Sequence, residues 1–167
     1  MKLFLCTLFA LLAIASHPVA AGAAADVEES PITIKSNELQ ADQANRTATF
    51  IGKVVAKQDD VTIHADKLVV RYAEGGGEVE KVEAFGNVSI VQQNRIGTSQ
   101  RAVYYNKEGK ITLSGSPKVV QGKDMVTGRE ITYFINEDRS VVTGGPDARV
   151  EAVIFPKRKG KNDAKKP

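Results

Sequence analysis

The chain has no tryptophan and only four tyrosines and six phenylalanines, so aromatic residues make up 6% of its 167 positions. That scarcity argues against a stacking platform of the kind that holds nucleobases or sugars. Histidine is nearly as rare. Of two, only His64 lies outside the first 25 residues. It sits beside Asp66 with no second His or Cys to complete a metal site, and it reads as a surface histidine. The single cysteine, Cys6, falls near the N-terminus, and residues 26–167 contain none. No disulfide can hold that part together, unlike the many exported domains of this size that are stapled by cystines. Long apolar runs are missing too, with one exception.

The exception is LFLCTLFALLAIA (3–15), preceded by Lys2 and followed by small residues ending in AAGAAA (20–25). A basic start, a short apolar centre and a small-residue end are the layout of a secretory signal peptide, with cleavage after Ala23 or Ala25. The other reading, an uncleaved anchor helix, needs a longer apolar run, and Pro18 follows closely. Cys6 comes too early to carry a lipid. Export without cysteines fits a bacterial envelope protein. The chain therefore divides into a signal peptide (1–25), one domain (26–155) and a basic tail (156–167). Charge supports the division. The tail, PKRKGKNDAKKP, carries six Lys/Arg and one Asp, while residues 26–155 hold 16 basic and 19 acidic side chains. The domain is no nucleic-acid platform. The tail has no apolar pattern and reads as disordered and solubilising, the alternative being weak attraction to anionic lipid surfaces.

What fills the domain is alternation. VTIHA places Val61, Ile63 and Ala65 on one face and Thr62, His64 and Asp66 on the other, a period of two that signals half-buried strands. Turn clusters separate the runs: QDD (58–60), AEGGGE (73–78), NKEGK (106–110) and NEDRS (136–140). No stretch between Pro31 and Phe155 carries a helical period. The expected class is all-β.

The strands also repeat. Gly52, Gly86, Gly115 and Gly144 are spaced by 34, 29 and 29 residues, each interrupting a strand-like run. KSNELQA (35–41), HADKLVV (64–70), TSQRAVY (98–104) and TGREITY (127–133) form a second series spaced by 29, 34 and 29. Four units of about 30 residues imply layers that bury their apolar faces on one another. A glycine within a strand marks a bulge or corner, so each layer is expected to bend into a V, with Val54, Val88, Val119 and Val150 opening the second limb. Stacked bent layers leave an apolar trough along the inside. Phase assigns its lining to Phe50, Val54, Ile63, Leu68, Val70, Val88, Ile90, Tyr104 and Leu113, with Ile111, Ile131 and Tyr133 in the same set. Ile51, Val55 and Phe85 are apolar in the outward phase. An aliphatic interior suits alkyl chains.

Catalytic readings find little support. Asp59–Asp60 and Glu137–Asp138 lie in turn clusters, where acidic residues serve the backbone. Gly75–Gly77 is followed by no Lys-Ser/Thr and opens no helix, so it is a hairpin connection and not a phosphate loop. A glycan-active enzyme would need paired carboxylates on one strand face and aromatic platforms, and neither is present. No enzyme activity, cofactor or metal is expected.

SPITIKSNELQADQANRTATFIGKV, IHADKLVV, EAFGNV and GREITYFINEDRSVVTGG, in this order over residues 31–155, resemble the OstA-like family of lipopolysaccharide transport proteins, in particular its periplasmic members. The resemblance implies a slightly twisted, V-shaped β-jellyroll of stacked antiparallel strands that binds the lipid A part of lipopolysaccharide. It implies contact of Ile32 and Ile34, in the opening strand, with lipid, and Leu39 joins the expected lining. It further implies head-to-tail self-association into a periplasmic bridge. The partners would be the inner-membrane transport complex with its C component and the N-terminal domain of the outer-membrane D component. Arg71, Lys81, Arg101 and Lys110 would either meet lipid phosphates at the trough rim or decorate outer strand faces. Two alternatives stay open: the membrane-associated C component of the same system, and a structural β-solenoid filament module with a fully packed interior.

Overall fold

The computed structural model describes residues 30–146 and 149–156. The proposed signal peptide and the tail beyond Pro156 lie outside them. Twelve strands form one antiparallel sheet: β1 (Thr33–Lys35), β2 (Glu38–Asp42), β3 (Thr47–Gln58), β4 (Val61–Tyr72), β5 (Val79–Gln92), β6 (Arg95–Tyr105), β7 (Lys110–Ser114), β8 (Lys118–Gln121), β9 (Asp124–Thr127), β10 (Glu130–Phe134), β11 (Arg139–Thr143) and β12 (Glu151–Val153). A 3-10 turn at Ile135–Glu137 is the one helical element among the described residues, and it sits in the expected NEDRS turn.

The glycines bend the sheet. Gly52 and Lys53 both have positive φ (80° and 49°), as do Gly86 and Asn87 (72° and 47°) and Gly115 and Ser116 (76° and 56°). Between the pairs Ile51↔Lys67 and Val54↔Ala65, two residues of β3 face one residue of β4, Asp66. The same two-against-one step occurs between β5 and β6, where Gly86 and Asn87 face Gln100. Such a bulge turns the strand sharply and leaves the alternation intact on either side. The second repeated series supplies the other half of each corner. A Cβ on Gly52, Gly86 or Gly115 would come within 3.0 Å of the side chain of Asn37, Asp66 or Gln100 respectively. The backbone N–H groups of Asn37 and Gln100 donate to the carbonyls of Gly52 (3.0 Å) and Gly115 (2.9 Å).

The fourth expected corner departs from this pattern. Gly144 does not adopt positive φ. Its neighbour Gly145 takes the place beside the fourth member of the series, its added Cβ lying 3.1 Å from Arg129 Cδ. The Arg129 N–H donates to Thr143 O, one residue earlier than the equivalent bond at Gly115. Val150, expected to open the next limb, is exposed and precedes β12.

Bending at the corners makes two arms. One contains β2, residues 47–51 of β3, 67–72 of β4, 79–85 of β5 and 101–105 of β6, then β7, β10 and β11. The other contains β1, residues 54–58, 61–65, 88–92 and 95–99 of the same long strands, then β8, β9 and β12. The tip of the second arm is closed by two-residue turns at Asp59–Asp60, Gln93–Asn94 and Gly122–Lys123, whose first residues have positive φ. The hydrophobic core lies between the arms. Val54, Ala65 and Val88 come from one side, and Leu68, Ala84, Ala102, Leu113 and Ile131 from the other.

Candidate functional site

The inward faces of the two arms carry ladders of aliphatic side chains, one rung per strand. Nearest the corners on the first arm the register runs Leu39, Phe50, Leu68, Ala84, Ala102, Leu113, Ile131, Val142. Across from it, one step further from the corners, the second arm presents Ile34, Ala56, Ile63, Ile90, Gly97, Val119, Val126, Ala152. Gly97 is where the opposite arm intrudes: a Cβ there would lie 3.2 Å from Leu113 Cδ1. Both ladders run from one end of the stack to the other, the second broken at Gly97, where Leu113 fills the space. Antiparallel pairing on a fixed period of two places each rung directly over the next.

Accessibility varies across the arms and along the stack. Val54, Leu68 and Val88 are 1–2% exposed, and Val70 and Leu113 are also buried. Ile34, Phe50, Ile63, Ile90 and Tyr104 are half-buried, while Ile32 and Leu39 at the first end of the stack are exposed. The twelve residues expected to line the trough thus separate into a packed floor, half-open walls and an exposed end. The five floor residues are covered by protein in this conformation, so a ligand reaches them only if the arms part. Ile32 precedes β1 and joins no ladder.

The outward phase explains its own exceptions. Phe85 lies between two cations, with Lys67 Nζ at 5.9 Å and the Arg101 guanidinium at 5.5 Å from its ring centre, and Ile51 continues that row. Val55 pairs with His64, which is exposed on the same face. Lys81 (2.9 Å) and Arg101 both bind the carboxylate of Glu83. Burial acts to raise the Glu83 pKa, but the hydrogen bonds and charges of Lys81 and Arg101 outweigh it and hold the carboxyl below its usual range. Lys110 pairs with Glu108 and lies 4.6 Å from the Tyr105 ring. Arg71 shares the cross-strand row of Lys81. All four cations weighed for lipid phosphate therefore belong to the outer face of the first arm. Asp59–Asp60 and Asp138 occupy turns, Asp59 and Asp138 with positive φ.

One inward group escaped the sequence reading. Carrying the phase of Ile90 across the Gln93–Asn94 turn would have set Gly97 and Arg95 on the inner face. Arg95 there contacts Tyr133 of the opposite arm, its guanidinium 5.6 Å from the ring centre.

Comparison with known proteins gives this geometry relatives. The family described as LptA/(LptD N-terminal domain) LPS transport protein matches residues 33–139. The lipopolysaccharide export system protein LptA of Haemophilus influenzae is 32% identical over 138 residues, covering 78% of this chain and 80% of the relative. LptA of Escherichia coli K12 is 25% identical over 134 residues, covering 77% and 72%. Among solved structures, LptH of Pseudomonas aeruginosa, the LptA-homologous periplasmic component of the conserved lipopolysaccharide transport device, superposes with a TM-score of 0.67. It is 18% identical, and the match covers 76% of this chain and 96% of that one. That likeness establishes the bent β-jellyroll for the present chain.

Proposed function

This chain belongs to the LptA/LptD N-terminal domain family of lipopolysaccharide transport proteins, and from that premise we propose that it is a periplasmic carrier holding the acyl chains of lipopolysaccharide between its two arms. The observation that carries the reading is the pair of aliphatic ladders running from one end of the stack to the other. Each acyl CH₂ withdrawn from water is worth about 0.8 kcal/mol, so a lipid with several long chains cannot cross an aqueous compartment unescorted. Movement between equivalent troughs costs almost nothing, and direction must come from an energised partner. A carrier of this kind needs no catalytic group.

The ends of the stack support assembly with related domains. Among the described residues, β1 and β2 pair only with β3, and β11 and β12 pair only with β10 and β9 respectively. Among the described residues, seven of the nine exposed large apolar side chains lie at the same places, Ile32 and Leu39 at one end and Val141, Val150, Val153, Ile154 and Phe155 at the other; Ile96 and Ile135 lie elsewhere. Strand addition between unlike ends is heterologous and propagates, joining successive troughs. On this reading the first strand edge and the last meet other copies, the C component and the N-terminal domain of the D component. Residues 1–25 serve as the signal peptide.

Photo-crosslinkers at Ile63 and Ile90, on the half-open wall, are expected to capture lipopolysaccharide in cells, whereas Thr62 and Ser89 on the outward face are not. Labelling of both phases alike would overturn the carrier reading and leave a structural filament module as the better account.

A further inference from the structure

Inward positions near the corners are aliphatic, small or aromatic, and the outermost inward row of the second arm reads Gln58, Val61, Gln92, Arg95, Gln121. Among the described strand residues, Arg95 is the one Lys or Arg whose phase points between the arms. Its partners in register are Gln92 and Gln121, and the inward residues of β6 run from Ser99 through Gly97 to Arg95, from the packed floor to the mouth. There Arg95 borders an open hollow of about 240 Å³ together with Gln92, Gln121, Tyr133 and Asp138.

An inward guanidinium needs a reason. Among the described residues Arg95 has no carboxylate within ion-pair distance. Three acidic groups on neighbouring strands and turns already have partners, among them Asp60, which accepts from Gln92 Nε2 (3.4 Å) and Gln93 Nε2 (3.0 Å). Tyr133 Oη donates to Asp138 Oδ1 (2.8 Å), and the Phe155 N–H donates to Asp124 Oδ1 (2.8 Å). Arg95 instead lies against the Tyr133 ring, a contact worth little at a half-exposed site and readily exchanged. Guanidinium groups pair with phosphate through two parallel N–H bonds, and they do so best where water is partly excluded. A lipid with its chains against the half-open walls places its headgroup at the mouth, level with this side chain.

We propose that Arg95 is the headgroup-reading residue of the trough, recognising a phosphoryl group of the bound glycolipid and exchanging its contact with Tyr133 for that anion. The assignment rests on the carrier reading and adds to it a chemical class: phosphorylated rather than neutral glycolipid.

The test compares binding of lipid A in its phosphorylated and phosphatase-treated forms to the full chain, in one detergent and at fixed ionic strength. The wild type is expected to prefer the phosphorylated form by about tenfold or more, the scale of one charge-assisted pair. Arg95→Gln should bring the ratio close to one while retaining affinity for the dephosphorylated form. Arg95→Lys should fall between, and Arg101→Gln on the outer face should keep the wild-type ratio. Inorganic phosphate at millimolar concentration should not displace the lipid; displacement would make the site a free-phosphate site and overturn the assignment. It is overturned equally by a wild type without preference, by Arg95→Gln retaining the preference, or by that variant losing both forms in parallel. Failure of the wild type to bind either form sinks the carrier reading itself, and this assignment with it. That outcome is distinct from binding without preference.

Discussion

Gly86 meets two demands at once, a backbone demand and a steric one. Its φ is +72°, and a Cβ would lie 2.3 Å from Asp66 Oδ2 and 3.0 Å from Asp66 Cβ. Gly75, at φ +96°, has nothing within 4 Å of an added Cβ. Gly86→Ala is therefore expected to lose about 2–3 kcal/mol in urea denaturation and Gly75→Ala about 1 kcal/mol, the difference measuring the contact with Asp66. Equal losses would show that conformation alone selects glycine at the corner. A second residue-scale expectation concerns acid. The Glu83 pKa is lowered on folding, so its stabilisation is complete above the unfolded glutamate pKa and disappears as pH falls through the folded one. Thermal melts from pH 7 down to about pH 3 should show the wild type losing stability faster than Glu83→Gln. Parallel curves would mean that the Lys81 and Arg101 contacts do not favour the charged form.

The strands divide by length and burial into two kinds. Strands β3 to β6 have 11–14 residues each, run through both arms, and carry Val54, Leu68 and Val88 on the floor. Strands β1, β2, β11 and β12 have 3–5 residues and, among the described residues, one neighbour each. Local stability follows buried apolar contact and paired backbone. Hydrogen exchange in the isolated protein is thus expected to be slowest in β4 and β5 and fastest in the four end strands. Uniform protection across the sheet would contradict this ordering. The central strands keep the ladders in register.

At the scale of the whole molecule, the proposed assembly makes predictions for behaviour in solution. Head-to-tail pairing of the β1–β2 end with the β11–β12 end is expected to give oligomers that grow with protein concentration in light scattering. Deleting residues 149–155 removes β12 together with Ile154 and Phe155 and should weaken that growth, whereas removing 157–167 should leave it intact. A strict monomer at all concentrations, or unchanged assembly after the first deletion, would refute end-to-end pairing. The same deletion should leave crosslinking at Ile63 unchanged, because that rung lies in the central strands.

Several features were settled by local order in the chain. Alternation in VTIHA, glycine spaced by about 30 residues and Asx-rich turns are local properties, and they sufficed for an all-β stack, its inward and outward faces, and its bends at Gly52, Gly86 and Gly115. The family resemblance was legible for the same reason, since its motifs are the corner residues and the rungs beside them. Other features depended on partners distant in sequence. Why Asn37, Asp66 and Gln100 recur became clear only when each was found against the glycine of another strand. The regular spacing suggested a fourth corner at Gly144, yet the Arg129 N–H donates to Thr143 O, one residue earlier than the equivalent bond at Gly115, and Gly145 meets Arg129 instead. Phase gave Val54, Leu68 and Val88 the same weight as Ile63 and Ile90, but only the closure of two arms separates a sealed floor from an open wall. Arg95 was overlooked because it follows a turn, where alternation must be carried over rather than read. Its contact with Tyr133 joins residues 38 positions apart in the chain. Periodicity reports which side of a strand a residue faces; how deeply it is buried depends on the arm opposite.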